Sequence, residues 1–418
     1  MRNLVIVLAA IFVGISAGGA ASARLFPIGI WYEGGVGEFR RNLIPDDPAK
    51  AASLYKSNFA DIAAHGLNAA VVPNTQPNHH KVLLDAANAS GVKLIVELDR
   101  EGGELGQMVR GSLQVTDQNI QTVLDAKLKP IMSHPGLWGV QLMDEPFPDS
   151  YERYAKVQQA IREYAPKLLP FCCLVGLGNV EPFLQTVKPE AVAVDNYPIG
   201  LGTPVGDRGV MLDFDGWAKR LCSVAEKYKT PTWAVLQTHA IDGYNRFPTP
   251  AEARCMTYLS LANGCKGIWW FLYQTEYSDK EHTQGMYGVV DKNYKGSDRW
   301  REVGLLAREI RKLAPTLLDL TPADDSVKLA SNQIAHTLKD GKGRLYLFVV
   351  NVDTGESEKV SVSLDVAAAK GRKPRVFRLP SNRPVPCELR GGGMTWEETL
   401  APGRGALYRI APTPYKWR

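Results

Sequence analysis

The chain has 418 residues, 45% of them hydrophobic and 22% charged, with a formal net charge of +5. That charge is small for the length and comes without a basic block, so nothing points to nucleic acid as a partner. Six cysteines are too few for a disulfide scaffold, and no C-x-x-C or Cys/His cluster has the spacing of a zinc site.

The N-terminus is read as a targeting segment. Arg2 gives a basic start, Leu4 to Ile15 an apolar run, and Ala21-Ser22-Ala23 a small-x-small cleavage pattern. The run is shorter than the ~18 apolar residues of a membrane span. Residues 1–23 are therefore expected to be a signal peptide cleaved near Ala23, and the protein to be secreted or periplasmic. No later stretch is apolar enough to add a membrane span. The length that remains exceeds the ~250 residues of one barrel, so a second domain is expected.

Apolar strand-like runs then alternate with helix-period segments. The runs are Pro27–Tyr32, Leu67–Pro73, Val92–Asp99, Leu137–Asp144, Leu169–Leu174, Ala191–Tyr197, Thr232–Thr238 and Gly267–Tyr273. They are short and apolar on both faces, as strands of a helix-covered parallel sheet are. A helix is predicted over Asp149–Ala165, where Tyr154, Val157, Ile161 and Tyr164 recur at helical spacing. Another fits Thr249–Gly264, with Thr249 to cap it and Pro250 in its first turn. The last, Trp300–Ala314, is expected to stop at Pro315. Eight strand–helix units argue for an α/β fold, a (β/α)8 TIM barrel over 24–321. An open doubly wound sheet would carry a glycine-rich turn after its first strand, and Trp31-Tyr32-Glu33-Gly34-Gly35 does not fit one. From residue 322 the pattern changes to alternating strands and hairpin turns, predicting a small antiparallel β-sandwich over 322–418.

A barrel works at the carboxyl ends of its strands. Strand one brings Trp31, Tyr32 and Glu33 there, strand two Asn74, and strand three Glu97 and Asp99. Strand four brings Asp144 and Glu145, strand six Asp195, Asn196 and Tyr197, strand seven Gln237 and His239, and strand eight Trp269, Trp270 and Tyr273. Carboxylates, amides and flat rings suit a carbohydrate, whose hydroxyls bridge polar groups while its C–H faces stack on aromatics. Phosphate would need basic residues or a glycine nest, and a metal would need clustered histidines, so no cofactor is expected. Trp269 and Trp270 alternate faces, so at most one can be a sugar platform. His79-His80 reads as a polar helix start, and Cys172-Cys173, Trp138 and Trp233 read as packing. A bridge among Cys222, Cys255 and Cys265 stays open beside buried thiols.

The sharpest motif is Gln141-Leu142-Met143-Asp144-Glu145-Pro146, an apolar strand running into two adjacent acids. Glu145 is the candidate proton donor for glycosidic cleavage, and Asp144 could hold it or raise its pKa. The competing reading is an acidic rim pair neutralised by Arg100 or Arg110. The motif resembles the Asn-Glu-Pro of clan A glycoside hydrolases, whose acid/base glutamate ends strand four; here Asp144 replaces the asparagine. The resemblance extends through Asp195-Asn196-Tyr197-Pro198, Pro231-Thr232-Trp233 and Gly267-Ile268-Trp269-Trp270-Phe271. The segment Arg246-Phe247-Pro248-Thr249-Pro250 with Glu252 and Arg254 is similar to glycosidase-like barrels of bacteria. The resemblance implies a nucleophilic glutamate ending strand seven, where this chain has Gln237. Three alternatives follow. Asp195, Glu97, Glu33 or Glu276 supplies the second acid. Or the substrate's own acetamido group attacks, as with the adjacent Asp-Glu pair of substrate-assisted hexosaminidases. Or the barrel binds glycan without cleaving it.

Overall fold

The computed structural model describes residues 25–35, 44–275, 284–323, 329–331, 333–365, 374–390 and 393–412. The expected signal peptide and Glu276 lie outside them.

Eight parallel strands form the first sheet. They are β1 (Ile28–Trp31), β2 (Ala69–Val72), β3 (Lys93–Glu97), β4 (Leu137–Gln141), β5, β6 (Val192–Asn196), β7 (Thr232–Gln237) and β8 (Gly267–Phe271). β5 is split at Cys172 into Leu169–Phe171, bonded to β4, and Cys173–Val175, bonded to β6. The two halves close the ring. Apolar side chains cover both faces because the inner row fills the barrel and the outer row meets the helices. Trp31, Ile95, Phe171, Trp233 and Trp269 belong to the inner row; Ile28, Ile30, Leu94, Val140 and Trp270 belong to the outer. A Cβ on Gly29 would stand 2.2 Å from the Trp269 ring, so glycine makes room for that indole. Trp138 and Trp233 pack as expected, with ring centroids 5.5 Å apart.

Helices α1 (Pro48–Ala64), α2 (His80–Ala89), α3 (Gly103–Arg110), α4 (Asp117–Val123), α5 (Tyr151–Tyr164), α6 (Val180–Val187), α7 (Arg208–Lys227), α8 (Pro250–Ala262) and α9 (Asp298–Asp319) separate or follow the strands. α8 begins as predicted: Thr249 and Glu252 bond each other's backbone in a capping box, with Pro250 in the first turn. α9 corrects the sequence reading, since it runs through Pro315 to Asp319. Ile310, Leu313 and Leu317 continue its buried stripe, and that burial outweighs the hydrogen bond proline removes. No helix of the described residues is long and apolar enough to cross a membrane.

Beyond α9, a six-stranded and a four-stranded antiparallel sheet face each other. Leu347, Val349, Val362, Met394, Trp396 and Tyr408 share the core between them. This unit leans on α8 and α9. Arg254 grips the Glu302 carboxylate with two bonds of 2.7 and 2.9 Å and donates a third to the Pro402 carbonyl. These anchors stand on the barrel's helices, far in sequence from the strand ends. All six cysteines are free thiols, although the Cys222 and Cys265 sulfurs lie 3.6 Å apart.

Candidate active site at the barrel mouth

β4 ends at Gln141, earlier than the sequence suggested, and Leu142–Pro146 leaves the sheet across the top of the barrel. The Glu145 N–H bonds the Cys173 carbonyl at 3.0 Å, pinning the turn to β5. To do so Glu145 takes φ +46°, in the left-handed region. A residue before proline is normally extended, and a non-glycine residue held left-handed costs of order 1–3 kcal/mol. Asn74 and Glu101, in the loops after β2 and β3, share this conformation. Such strain gathers where a side chain must be aimed.

Asp195, next to last in β6, is buried and shares a hydrogen bond with the Glu145 carboxyl. Burial and the neighbouring Glu145 push the Asp195 carboxyl up to about 7, against the opposing bond from Tyr197. Burial also raises Glu145, which is half-buried, and the bond to Asp195 restrains that rise. Asp144 is open to solvent, yet protein surrounds it closely. Protein packed beside it, then Glu145, Glu97 and Asp195, raise its carboxyl above the usual range, and the water it meets screens that rise. Neither Asp144 nor Glu145 is ion-paired with an arginine among the described residues, so the rim-pair reading fails. Arg110 instead donates to the Glu101 carbonyl at 2.9 Å.

A second group ties the loops after β1, β2 and β3 together. Asn74 donates its N–H to Glu97 at 2.6 Å and its amide to Glu33 at 3.1 Å, and accepts from the Glu101 N–H. Glu33 also accepts from the Gly35 N–H, and its backbone is clasped by Gln274. Glu97 is buried and pushed up to about 7, chiefly by burial and further by Glu33. These three side chains come together as expected, but as a hydrogen-bonded frame.

Several expected site residues are corrected. Gln237 is fully buried and committed to backbone: its Oε1 accepts from the Ile199 N–H at 2.9 Å, and its Nε2 faces the carbonyls of Ile199, Arg246 and His239 at 3.0, 3.1 and 3.4 Å. It latches the loops after β6 and β7. Asp99 pairs with Lys127 at 2.5 Å and caps the turn Arg100–Gly102. Tyr32 turns outward, stacks on Phe59 and bonds Asn58. Tyr273 bonds Asp61 in the same outer layer. Trp270 lies among the helices, and Trp269 and Trp31 lie inside the barrel, all buried, so none of these three offers a sugar platform. His239 is buried and edge-on to Tyr197 and Phe271; its Nδ1 bonds the Phe271 carbonyl, and burial lowers its pKa to about 4. It supports Tyr197 from behind. Tyr197 and Asn196 remain half-buried at the rim. His79 precedes α2 and His80 begins it, but both are buried, bonded to Tyr55 and to the Glu97 carbonyl.

One inner residue escaped the sequence reading. Gln141 is buried with both amide atoms unpartnered among the described residues, beside Glu97 in register. Strand alternation from Glu97 across the β3–β4 pair is the signal that points to it. Among the described residues no cluster of His, Cys, Asp and Glu could hold a metal ion. A cavity of about 1010 Å³ exists at the opposite end of the barrel, lined by Leu25, Lys93, Trp138, Leu169, Trp233 and Lys266 among others. It contains none of the strand-end acids, and barrel chemistry belongs to the carboxyl face.

No protein-family model and no curated protein sequence matches the chain. Solved structures do match. A family 5 glycoside hydrolase from Bacteroides vulgatus aligns over 93% of this chain and 90% of its own, with TM-score 0.60 and 10% identity. A family 39 glycoside hydrolase from Bacteroides cellulosilyticus aligns over 93% of this chain and 81% of its own, with TM-score 0.50 and 12% identity. The β-galactosidase of Marinomonas ef1 matches 69% of this chain at TM-score 0.50 and 11% identity; the alignment spans only 60% of that enzyme's length. At such identities the likeness is one of architecture: the chain has the TIM-barrel fold of these glycoside hydrolases.

Proposed function

We propose that the chain hydrolyses a glycosidic bond in an oligosaccharide, polysaccharide or glycoconjugate, with Glu145 as general acid/base. The observation that carries this is the hydrogen-bonded Glu145–Asp195 carboxyl pair beside the open Asp144. Crowded, poorly hydrated carboxyls cannot all ionise, so the pair keeps a proton near neutral pH. Glycoside cleavage needs such an acid at the leaving oxygen. The proton passes from Glu145 to that oxygen, the C1–O electron pair leaves with it, and a water oxygen takes its place at C1. The water's proton restores the acid.

Asp195 is a positioning residue in this scheme. Its carboxyl bonds that of Glu145, so in this scheme Asp195 holds and shares the Glu145 proton. Glu97 and Glu33 are engaged with backbone N–H groups and Asn74, which leaves Asp144 as the open carboxyl among the described ones, with Glu276 outside them.

That observation favours a second, narrower reading: attack by a substrate acetamido group that Asp144 orients while Glu145 protonates the leaving oxygen. The test is a screen of chromogenic glycosides with and without N-acetyl groups. Glu145→Gln should abolish turnover while Tm stays near wild type, and unchanged turnover ends the proposal. Cleavage confined to N-acetylated sugars selects the narrower reading. Sugar binding without product after long incubation selects a non-catalytic glycan receptor instead. Export by residues 1–23 belongs to the same proposal; a mature N-terminus near Arg24 in protein recovered outside the cytoplasm is the expected result.

A further inference from the structure

Cys222 and Cys265 meet at the end of the barrel away from the candidate acids. Cys222 belongs to the buried stripe of α7, with Phe214, Ala218 and Leu221. Cys265 stands two residues ahead of β8. Gly264, at φ +101°, turns the chain out of α8, and the Cys265 N–H bonds the Ser260 carbonyl at 3.1 Å. The next N–H, that of Lys266, bonds the Thr232 carbonyl at 2.7 Å, at the start of β7. Backbone bonds on both sides therefore fix where Cys265 stands. The two sulfurs lie 3.6 Å apart, and the Thr232 hydroxyl is 3.4 Å from that of Cys222.

The two thiols are not equivalent. Cys222 is 8% exposed and helps to line the cavity of about 1010 Å³, whereas Cys265 is 1% exposed. The bond from Cys265 lowers the Cys222 pKa against its burial; Thr232 and the Lys266 ammonium work the same way, and Glu226, one turn along α7, opposes them. Giving that bond, together with burial, holds Cys265 well above its ordinary value. The proton thus stays on Cys265, and Cys222 is the sulfur with thiolate character, the form that attacks a disulfide. The other buried thiols are engaged elsewhere. Cys173 donates to the Leu174 carbonyl, Cys255 to the Asn351 carbonyl, and Cys172 meets Tyr154.

We propose that Cys222 and Cys265 form a redox dithiol, closed to a disulfide by exchange with a low-molecular-weight disulfide that enters the cavity. The Cys222 thiolate attacks one sulfur of the donor, the donor S–S bond breaks, and one half leaves as a thiolate. The Cys265 sulfur, giving up its proton, then attacks the Cys222 sulfur and releases the other half. The protein pair loses two electrons, the donor disulfide gains them, and the two protein protons end on the two donor thiols. Residues 1–23, proposed above as an export signal, would deliver the pair to an oxidising compartment, where such donors are present. The new bond spans 43 positions and encloses β7 and α8. It braces the helix on which the second unit leans, and it does so independently of the chemistry at the barrel mouth.

The test takes the folded full chain, first reduced and then incubated with oxidised glutathione. Alkylation and peptide mapping should find one bridge, joining Cys222 to Cys265. The bridged protein should melt about 5 °C above the reduced one and fall back when dithiothreitol is added. Cys265→Ser should stop at a glutathione mixed disulfide on Cys222, and Cys222→Ser should leave Cys265 unmodified. Cys387, half-buried in the second unit, reports that the donor is active. A bridge between any other pair, modification of Cys265 in Cys222→Ser, or a Cys222–Cys265 pair still reduced once Cys387 has reacted overturns the proposal. The map of the wild-type chain decides the matter even where a serine variant does not fold.

Discussion

Replacing Glu145 by glycine should make the protein more stable while destroying its activity. At φ +46° the Cβ of residue 145 is crowded against its own backbone, at a cost of roughly 1–2 kcal/mol for an L-residue. Glycine removes that cost and gives back about 0.4–1 kcal/mol through its freer unfolded chain. The conformational balance is a gain of about 0.5–1 kcal/mol. Removing Glu145 also lifts its charge from beside Asp195 and breaks the bond the two carboxyls share, opposing effects that Glu145→Ala has equally. Glu145→Ala is the control, because it deletes the same carboxyl and keeps the Cβ. Guanidinium midpoints at pH 7 should therefore rank glycine above alanine by about 1 kcal/mol, the reverse of the order in a helix or strand. Turnover should be absent in both. If alanine is the more stable of the two, the turn is not strained and the argument from backbone geometry to function fails.

Stability should fall as pH rises towards 7, and the rate as pH passes it. The folded pKa values of Asp195 and Glu97, about 7, lie above their ordinary values of 3.8 and 4.5, so the folded state holds more protons between those limits. Their contribution is fully present below about pH 4 and is lost by about pH 7, at a slope of up to about 1.4 kcal/mol per unit for each group. Thermal midpoints should decline from pH 5 to 7, and Asp195→Asn should flatten that decline. Hydrolysis should fall as pH passes 7, where the Glu145–Asp195 pair loses its proton, and Asp195→Asn should move that limb; a pH-independent rate refutes proton sharing. Gln237→Glu, which restores the acid expected from the resemblance, should not raise kcat. It should lower stability by about 2–4 kcal/mol, because a carboxylate there meets carbonyl oxygens it cannot bond; a gain in turnover would show that the latch is dispensable.

All eight barrel strands were legible because each is apolar on both faces, a pattern that survives without knowing the pairing. Their ends were not. The sequence reading carried β3 to Asp99 and β4 to Asp144, whereas the sheet stops at Glu97 and Gln141. The break of β5 at Cys172 leaves no trace in composition. Ring placement depends on those ends. Ile28, Ile30 and Tyr32 share the outward row while Trp31 faces in, so strict alternation would have moved Tyr32 away from the mouth. Tyr273 follows the point where β8 ends, and alternation no longer governs it. The Asp144/Glu145 pair was legible from two adjacent acids after an apolar strand. Its partnership with Asp195 was not, since that contact joins strands four and six through a turn whose left-handed residue precedes a proline.

The strand-seven glutamine and the strand-six aspartate belong to one argument. A retaining glycosidase of the usual kind separates its acid from its nucleophile by the width of a sugar, one carboxyl on strand four and the other on strand seven. In this barrel the strand-seven side chain faces carbonyl groups with its amide nitrogen, a role only an amide can fill. The crowding of carboxyls has moved to strands four and six, where burial raises Asp144, Glu145 and Asp195 and the neighbouring Glu145 pushes Asp144 and Asp195 further up. Among the described residues such a cluster stores protons and offers no isolated nucleophile. In the proposed hydrolysis the attacking atom then comes from water or from the substrate, and the stored protons are what the cluster contributes. For that reason the nature of the sugar's own neighbouring group, more than any further side chain, decides between the two hydrolytic routes.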